Sequence, residues 1–490
     1  MSKVRTAPLV GIILLIAAGL RFAFLGQHSL WSDEIFVVWI SRFPWRDLPH
    51  VAKAVDFHPP FYYLLMKAWI GTVGAGETAL RIPSASFSVL AVGLTYALMR
   101  RVASDEVSLL SAFLVGVSPF QITAGQEARM YPLVGALVVG STWAIAEAVE
   151  RGGKLRWCAY VALATLTAYT SYLASLVLVA HGVWVLVWER RCLARWGAAM
   201  GVAILLYAPW MPALWTQLVQ APAVLPTTPG SEPLLRGLDL FGLFAFGGSL
   251  FGMAGYFSPG TLDPVSRVVM LLPFLLFVSW GVAAPALDRR QMALIGLPPA
   301  VIIGTAWMLS LLKPTFLPRW FSFLVPFYAM FLAAGIVSAA NHVRANRNRA
   351  LAWFTIWVLA YSLPVLERYY FEPTTWAFRW REAAALVAHR VKPGDFFLYA
   401  DSPTEETFSY YFRGRYPSMT FEPVGKRPET NELTPGQARV LAGRYHRVWL
   451  VTNGPISALV RQRVLVLVTA FRPAGFQDFS GAGVYLFMAR

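Results

Sequence analysis

The sequence predicts a polytopic α-helical membrane protein that ends in a small α/β domain. Hydrophobic residues make up 57% of the 490 residues, charged residues make up only 14%, and the mean hydropathy is +0.53. Soluble domains contain roughly 25% charged residues, so this composition excludes an ordinary soluble protein. Apolar segments of membrane-spanning length recur up to about residue 366, after which the polarity becomes ordinary.

Eleven mostly apolar segments are long enough, with some tilt, to cross a hydrocarbon layer about 30 Å thick. They lie near residues 8–25, 82–99, 105–119, 131–149, 157–169, 172–188, 196–212, 265–286, 292–311, 320–340 and 351–366. The fifth and sixth segments are short and could instead form one bent helix, which would change the parity of the count.

Basic residues favour the count of eleven, because they occur in every second loop, as the positive-inside rule requires. The basic loops contain Lys3 and Arg5; Arg100 and Arg101; Arg151, Lys154 and Arg156; Arg190, Arg191 and Arg195; Arg289 and Arg290; and Arg344, Arg347 and Arg349. The alternation holds only if residues 157–188 cross twice. It predicts a multi-pass protein of the cytoplasmic (inner) membrane, surrounded by membrane lipids, with a cytoplasmic N-terminus and an extracytoplasmic C-terminal domain.

The same distribution of charge argues against nucleic-acid binding. The formal net charge is +16, but Lys and Arg fall in short clusters between apolar segments instead of along one stripe with interleaved aromatic residues. No nucleic-acid partner is therefore expected.

The topology divides the chain into a membrane domain, 1–366, and an outer α/β domain, 367–490. The outer-face loops of the membrane domain are 26–81, 120–130, 213–264 and 312–319. A further crossing within 213–264 would break the charge alternation, so the apolar stretch 239–258 is interpreted as an outer-face or re-entrant helix, with an extra span left open. The outer domain contains strand-like runs at 395–400, 447–452 and 483–489.

The first outer loop carries four candidate site residues, Asp33, Glu34, Asp56 and His58. Carboxylates at a membrane boundary are costly unless they face water, a metal or a polar substrate, which makes them functional candidates. The alternative for Asp33 and Glu34 is the acidic first turn of a helix that begins near Ser32. Glu34, Asp56 and His58 could also coordinate a divalent cation (Mg, Mn or Zn), although their spacing matches no strict ligand motif.

The other outer loops add Glu127 and Arg129, before the fourth segment, and Lys313 and Arg319, before the tenth. Glu127 and Arg129 lie in a short loop that would face the same cavity as the first outer loop. Lys313 and Arg319 are basic residues placed on the outer face against the positive-inside rule and therefore suggest anion binding, and Arg319 suits a bidentate phosphate contact. The alternative for Lys313 and Arg319 is snorkelling to lipid headgroups.

Short motifs recur through the chain in a fixed order. They are LWSDE (30–34), DFHPPFYY (56–63), ETALRIPS (77–84), QEARMY (126–131), YTSY (169–172), FLPRW (316–320) and WR (380–381). Together they resemble the bacterial glycosyltransferase family 39 group, which has the GT-C fold of the protein O-mannosyltransferases and the lipid A aminoarabinose transferase. The likeness covers most of the chain, but it does not specify the sugar, the acceptor or the oligomeric state.

The resemblance implies an inverting glycosyltransferase that takes a sugar from a polyprenyl-monophosphate donor on the outer face. The acceptor would be a hydroxyl of a protein, a glycolipid or a polysaccharide. Asp33 matches the catalytic acidic position and would be the base, while Glu34 would orient the site or hold a metal. His58 matches a basic position that contacts the lipid phosphate, and Glu127 matches a second acidic position near sugar hydroxyls.

Two other classes of protein are the alternatives to a glycosyltransferase. A membrane transporter or lipid flippase of polyprenyl-linked sugars predicts inverted repeats and charges near the bilayer midplane. No such repeat is detectable in the sequence, and the acidic candidates cluster at one membrane face. A non-catalytic scaffold whose outer domain binds a partner would leave these charged outer loops without a purpose.

Overall fold

The computed structural model describes residues 3–224, 240–245, 264–283, 287–312, 318–343, 346–372, 378–422, 433–454 and 458–490. The chain divides into two compact units, residues 1–25 with 43–368 and residues 26–42 with 369–490. The segment 26–42, which the sequence analysis grouped with the membrane domain, therefore packs with the C-terminal domain.

The helices of the first unit are α1 Lys3–Phe22, α3 Leu48–Val55, α4 Phe61–Val73, α5 Glu77–Val102, α6 Asp105–Val117, α7 Pro119–Gly125, α8 Tyr131–Arg151, α9 Lys154–Ala168, α10 Tyr172–Trp188, α11 Leu193–Tyr207, α12 Met211–Val224, α13 (240–245), α14 Pro264–Ala283, α15 Arg289–Leu312, α16 Val325–His342 and α17 Arg347–Phe371. A 3-10 helix, Pro318–Leu324, precedes α16. The last residues of α17 belong to the second unit, and α2 lies wholly in it.

Each of the eleven apolar segments contains a helix among the described residues, but eleven crossings are not confirmed. Among the described residues, six helices are long and apolar enough to cross a membrane: Glu77–Val102, Tyr131–Arg151, Arg190–Val219, Arg289–Leu311, Arg319–His342 and Arg347–Phe371. Counting the bent pair α6 and α7 as one span makes seven, and shorter apolar helices lie at Thr6–Phe22, Tyr172–Trp188 and Leu271–Ala283. Most of 239–258 lies outside the described residues, so its character as re-entrant piece or span stays a prediction.

The bend between α6 and α7 is encoded locally. The two helices meet at 56°. Ser118 ends α6 in an extended conformation, and its side chain accepts a hydrogen bond from the backbone N–H of Gln121. Pro119 occupies the first position of α7, where its missing N–H costs nothing. The chain therefore stops one helix and starts another within two residues.

The second unit contains α2 Ser32–Ser41, α18 Trp380–Arg390, α19 Ser402–Tyr411, α20 Pro435–Arg444 and α21 Ala458–Leu467. Its strands are β1 Phe396–Asp401, β2 Ser418–Glu422, β3 Arg447–Asn453, β4 Phe471–Phe479 and β5 Ala482–Ala489. The strand order is β2-β1-β3-β5-β4, in which β1 pairs in parallel with β2 and β3, and β5 pairs antiparallel with β3 and β4. Both faces of this sheet carry buried apolar residues.

Alternation along β1 separates the two faces. Phe396 and Leu398 belong to one buried cluster, and Phe397 and Tyr399 belong to the other. Helix α2 packs against α19, where the Leu30 backbone N–H donates to the Tyr411 hydroxyl at 2.6 Å. These contacts explain why the segment 26–42 groups with the sheet.

Glycines set the distance between α14 and α16. A Cβ atom added at Gly335 would overlap the carbonyl oxygen of Phe277, and one added at Gly281 would overlap the carbonyl oxygen of Phe331. The two helix backbones are therefore in direct contact, a close approach that small residues permit in membrane proteins.

We expect Gly335→Ala to lower the thermal unfolding midpoint in detergent, because the added methyl group forces two backbones apart at a cost of about 1–3 kcal/mol. Gly304→Ala is the matched control, since nothing lies within 4 Å of a Cβ atom at that position of α15. Alanine favours a helix over glycine, so the control should be neutral or slightly stabilising. Equal midpoints for the two variants would contradict the close contact.

Candidate active site

A charged cluster in the loop between α3 and α4 is centred on Asp56. The Nδ1 atom of His58 lies 3.0 Å from Oδ1 and 3.1 Å from Oδ2 of Asp56. The Tyr63 hydroxyl donates to Oδ2, and the Phe57 backbone N–H donates to Oδ1 at 2.8 Å. The carboxylate therefore accepts from several donors, and it directs the Nδ1 side of the His58 ring towards itself.

The surroundings of Asp56 keep it ionised. Burial alone would raise the pKa of Asp56, but the charge and hydrogen bond of His58, the charge of Arg129 and the Tyr63 hydroxyl together lower it to about 2. A carboxyl group with this pKa is an acceptor and a counter-charge at physiological pH, and it is a poor proton donor. Asp56 therefore suits orientation of His58 better than acid catalysis.

Arg129 is buried, with 6% of its surface exposed. It lies in the short loop between α7 and α8, and its guanidinium carbon is 5.9 Å from the centre of the Tyr131 ring. The Ser84 hydroxyl of α5 donates to the Arg129 carbonyl oxygen at 2.9 Å, and the Arg129 backbone N–H donates to the Glu127 carbonyl oxygen at 2.8 Å. Glu127 itself is half-buried in this loop. These contacts fix the backbone of Arg129 and thereby limit the positions that its guanidinium group can take.

Two side chains that the sequence analysis missed hold this loop against α1. Gln126 donates from Nε2 to the carbonyl oxygens of Leu20, Arg21 and Ala23, at 3.2, 3.1 and 2.8 Å. These carbonyls lie where α1 ends, so they lack helical partners. The structure thus uses a side-chain amide both to cap one helix and to position the loop that carries Arg129.

Arg21, fully buried in α1, binds the end of α6. Its guanidinium donates to the carbonyl oxygens of Gly116 (2.7 Å) and Val115 (3.0 Å) at the end of α6, and to the Ser88 hydroxyl at 2.6 Å. A signal for this role was present in the sequence, because an arginine inside an apolar segment is costly unless it is paired.

Gln217 of α12 fixes the Asp56 loop from another side. Its Nε2 donates to the carbonyl oxygens of Asp56 (2.6 Å) and Lys53 (3.1 Å). The Tyr172 hydroxyl donates to Oε1 of Gln217, and Trp210 Nε1 donates to that hydroxyl at 2.8 Å. A neutral glutamine at the end of an apolar segment carries no sequence signal for such a role.

The basic candidates near α16 are only partly described. Arg319 lies in the 3-10 helix Pro318–Leu324, which packs against α8, and Gln121 Nε2 donates to the Ser322 carbonyl oxygen of the same element. Lys313 lies outside the described residues, so its role stays a prediction.

Asp33 and Glu34 lie in the first turn of α2, in the second unit. Glu34 is fully buried, and its Oε2 accepts a hydrogen bond from the Trp31 backbone N–H at 3.3 Å. Asp33 is half-buried. The acidic first turn considered in the sequence analysis is therefore present, and a helix start of this kind is compatible with catalysis by Asp33.

Within the described part of the chain, no three His, Cys, Asp or Glu side chains come together in an arrangement that could hold a metal ion. Asp56 and His58 are hydrogen-bonded to each other and would supply two ligands. A divalent cation at Glu34, Asp56 and His58 stays a prediction.

Residues 57–215 match the family model described as dolichyl-phosphate-mannose-protein mannosyltransferase. No curated protein matches the chain in sequence. Among solved structures, the apo form of ArnT from Cupriavidus metallidurans is similar with a TM-score of 0.61 at 12% identity, covering 98% of this chain and 97% of that chain. The form of ArnT bound to undecaprenyl phosphate gives 0.59 at 12% identity, covering 99% and 98%.

A third similar structure is the archaeal oligosaccharyltransferase AglB from Archaeoglobus fulgidus, in complex with an inhibitory peptide and a dolichol-phosphate. It gives a TM-score of 0.56 at 12% identity and covers 99% of this chain and 74% of that chain. The chain therefore has the GT-C fold expected from its motifs. Together with its long apolar helices, the fold makes it a multi-pass membrane protein.

We expect Asp56→Asn to destabilise the protein by about 1–3 kcal/mol at neutral pH, because the Asn side chain leaves the hydrogen-bonded network without a charge and with one acceptor oxygen fewer. The pKa of Asp56 is lowered from 3.8 to about 2 in the folded state, so the stabilisation is present above about pH 4 and is lost as the pH falls towards 2. Thermal midpoints of the variant and the wild type should therefore differ at pH 7 and converge in acid.

Asp47→Asn is the matched control, because Asp47 is exposed and its side chain makes no capping hydrogen bond at the start of α3. It should leave the midpoint unchanged at every pH. A difference between Asp56→Asn and wild type that stays constant down to pH 2 would refute the ionised cluster.

Proposed function

We propose that the protein is an inverting glycosyltransferase that moves a hexosyl or pentosyl group from a polyprenyl monophosphate to an acceptor hydroxyl. The observation that carries the proposal is the end-to-end likeness of its fold to ArnT, whose structure has been determined with undecaprenyl phosphate bound. The match of residues 57–215 to a mannosyltransferase family model supports the same class, and that range includes His58 and Arg129.

The leaving group of this reaction is the lipid phosphate, which gains negative charge as the bond to the sugar breaks. Positive groups fixed in advance stabilise such charge without reorganising during the reaction. Arg129 is buried and held through its backbone, and His58 is oriented by Asp56. We assign the phosphate contact to Arg129 and His58, with Arg319 and Lys313 as further phosphate ligands, and Glu127 to the sugar hydroxyls.

The acceptor hydroxyl must lose its proton as it attacks the anomeric carbon. Asp33 is the proposed base: its carboxylate takes that proton while the acceptor oxygen bonds to the anomeric carbon and the bond to the phosphate oxygen breaks. The electron pair leaves with the lipid phosphate, so no separate general acid is needed, and attack from the opposite side inverts the configuration. Glu34, whose carboxylate binds the Trp31 N–H, would hold the turn that carries Asp33.

The alternation of basic loops supports a reaction on the outer face of the cytoplasmic membrane, with the N-terminus inside and the C-terminal domain outside. The acceptor would be a protein, a glycolipid or a polysaccharide. A divalent cation, if bound at Glu34, Asp56 and His58, would supply additional positive charge near the phosphate.

We expect Asp33→Asn to reduce sugar transfer in liposomes by about 10²–10⁴-fold, because the variant keeps the size of the side chain but removes the base. Transfer from a panel of radiolabelled polyprenyl-phosphate sugars measures this and also identifies the donor. Asp47→Asn should transfer normally. Full activity of Asp33→Asn would exclude Asp33 as the base, and wild-type protein that moves donors across the bilayer without transfer would indicate a flippase.

Arg129→Gln tests the phosphate contact separately. We expect it to weaken binding of polyprenyl phosphate alone by about tenfold or more, because a charge-assisted contact is lost. Arg129→Lys keeps the charge but loses the fork geometry of the guanidinium group. Its affinity for polyprenyl phosphate should therefore lie between those of the wild type and Arg129→Gln. Unchanged phosphate affinity in a folded Arg129→Gln protein would refute the assignment.

A further inference from the structure

A groove lined by α1, α6 and α17 lies within the first unit, away from the Asp56 cluster. Its cavity volume is about 730 Å³, and most of its wall is apolar. Leu9, Ile12 and Ile16 of α1 line it and are large apolar side chains that remain 39%, 52% and 42% exposed. Apolar walls of this kind on a membrane protein can accommodate a hydrocarbon chain.

The position of the groove within the first unit follows from α1 and α6. Arg21, near the end of α1, contacts Val115 and Gly116 at the end of α6. The groove is lined by the earlier part of α1 and by the start of α6. It therefore lies towards the opposite end of these helices from the α6–α7 bend and the loop that carries Arg129.

Charged residues of both signs surround one end of the groove. Asp105 and Glu106 from the first turn of α6 line it, as does Arg347 from the start of α17. Arg347 forms an ion pair with Glu106, and Arg100 Nε lies 3.0 Å from Asp105 Oδ1. The side chains are 26% to 36% exposed, so they can still meet a ligand. Among the described residues, the groove lining therefore carries two carboxylates and one guanidinium group, and Arg100 lies beside it.

We propose that this groove binds an aminophospholipid, of which phosphatidylethanolamine is the type. One acyl chain would lie along the apolar wall, the phosphate would meet Arg347, and the ammonium group would meet the carboxylates of Asp105 and Glu106. A primary ammonium has three N–H donors for carboxylates, whereas a trimethylated choline has none. An anionic headgroup without an ammonium would place its charge beside these two carboxylates and offer them no donor of opposite charge.

Native mass spectrometry of the full chain, after incubation with equimolar phosphatidylethanolamine, phosphatidylcholine and phosphatidylglycerol, tests the proposal. We expect wild-type protein to retain phosphatidylethanolamine at least threefold over each of the other two lipids. In the double variant Asp105→Asn with Glu106→Gln the mouth becomes cationic, so the preference over phosphatidylcholine should disappear and phosphatidylglycerol should become the favoured lipid. Equal retention of all three by wild type, or an unchanged preference in the variant, overturns the proposal.

A second variant tests the apolar wall without altering charge. Leu110→Trp fills the groove from α6 and should lower retention of phosphatidylethanolamine at least threefold. Leu205→Trp, at a position of α11 that is 73% exposed and outside the groove, is the control and should leave retention unchanged. Thermal midpoints show that each variant is folded. Loss of retention in the control as well, or no loss in Leu110→Trp, would place the lipid elsewhere.

Discussion

The hydrogen bonds that Arg21 makes to Val115 and Gly116 are the interaction on which the proposed phosphate contact depends. A helix that stops within apolar surroundings leaves carbonyl oxygens without partners, and those carbonyls need donors from within the protein. Arg21 supplies them, so α6 can end at Ser118 and α7 can begin at an angle. Gly125 then passes Ser88 so closely that a Cβ atom would lie 3.0 Å from the serine Cβ. The loop that carries Arg129 follows the short helix α7, so the bend sets the position of this loop.

The Asp56 cluster is held in a comparable way, by neutral donors acting on backbone carbonyls. Gln217 of α12 binds the Asp56 carbonyl, Ser84 of α5 binds the Arg129 carbonyl, and Gln126 binds the end of α1. Each contact fixes backbone and leaves the charge of the cluster unchanged. Charges that are positioned before the substrate arrives need little reorganisation during the reaction, which is the condition for electrostatic catalysis.

The sequence predicted the helices well because an apolar run of membrane-spanning length is a strong local signal. It did not predict that 26–42 packs with the sheet, because this grouping depends on tertiary contacts such as Leu30 with Tyr411. Strand β4 was also missed: it contains Pro473, its register shifts there, and almost all of its residues are exposed, so no alternation marks it. Among the candidate site residues, Asp56, His58 and Arg129 were proposed from their charge and their motifs, whereas Gln217 is neutral and became visible only through its contacts.

Basic residues of the loops that predict the topology also form ion pairs between helices. Arg101 of α5 pairs with Glu147 and Glu150 of α8, and Arg290 of α15 pairs with Glu189 after α10. The side chains of Glu147 and Glu189 are only 10% and 4% exposed, so loss of a partner would leave a buried charge uncompensated. Acidic residues contribute little to the positive-inside rule, so these ion pairs are compatible with the predicted topology. In these clusters ion pairs join neighbouring helices, whereas at the α6–α7 bend and in the Asp56 loop hydrogen bonds from side chains to backbone carbonyls hold the chain in place.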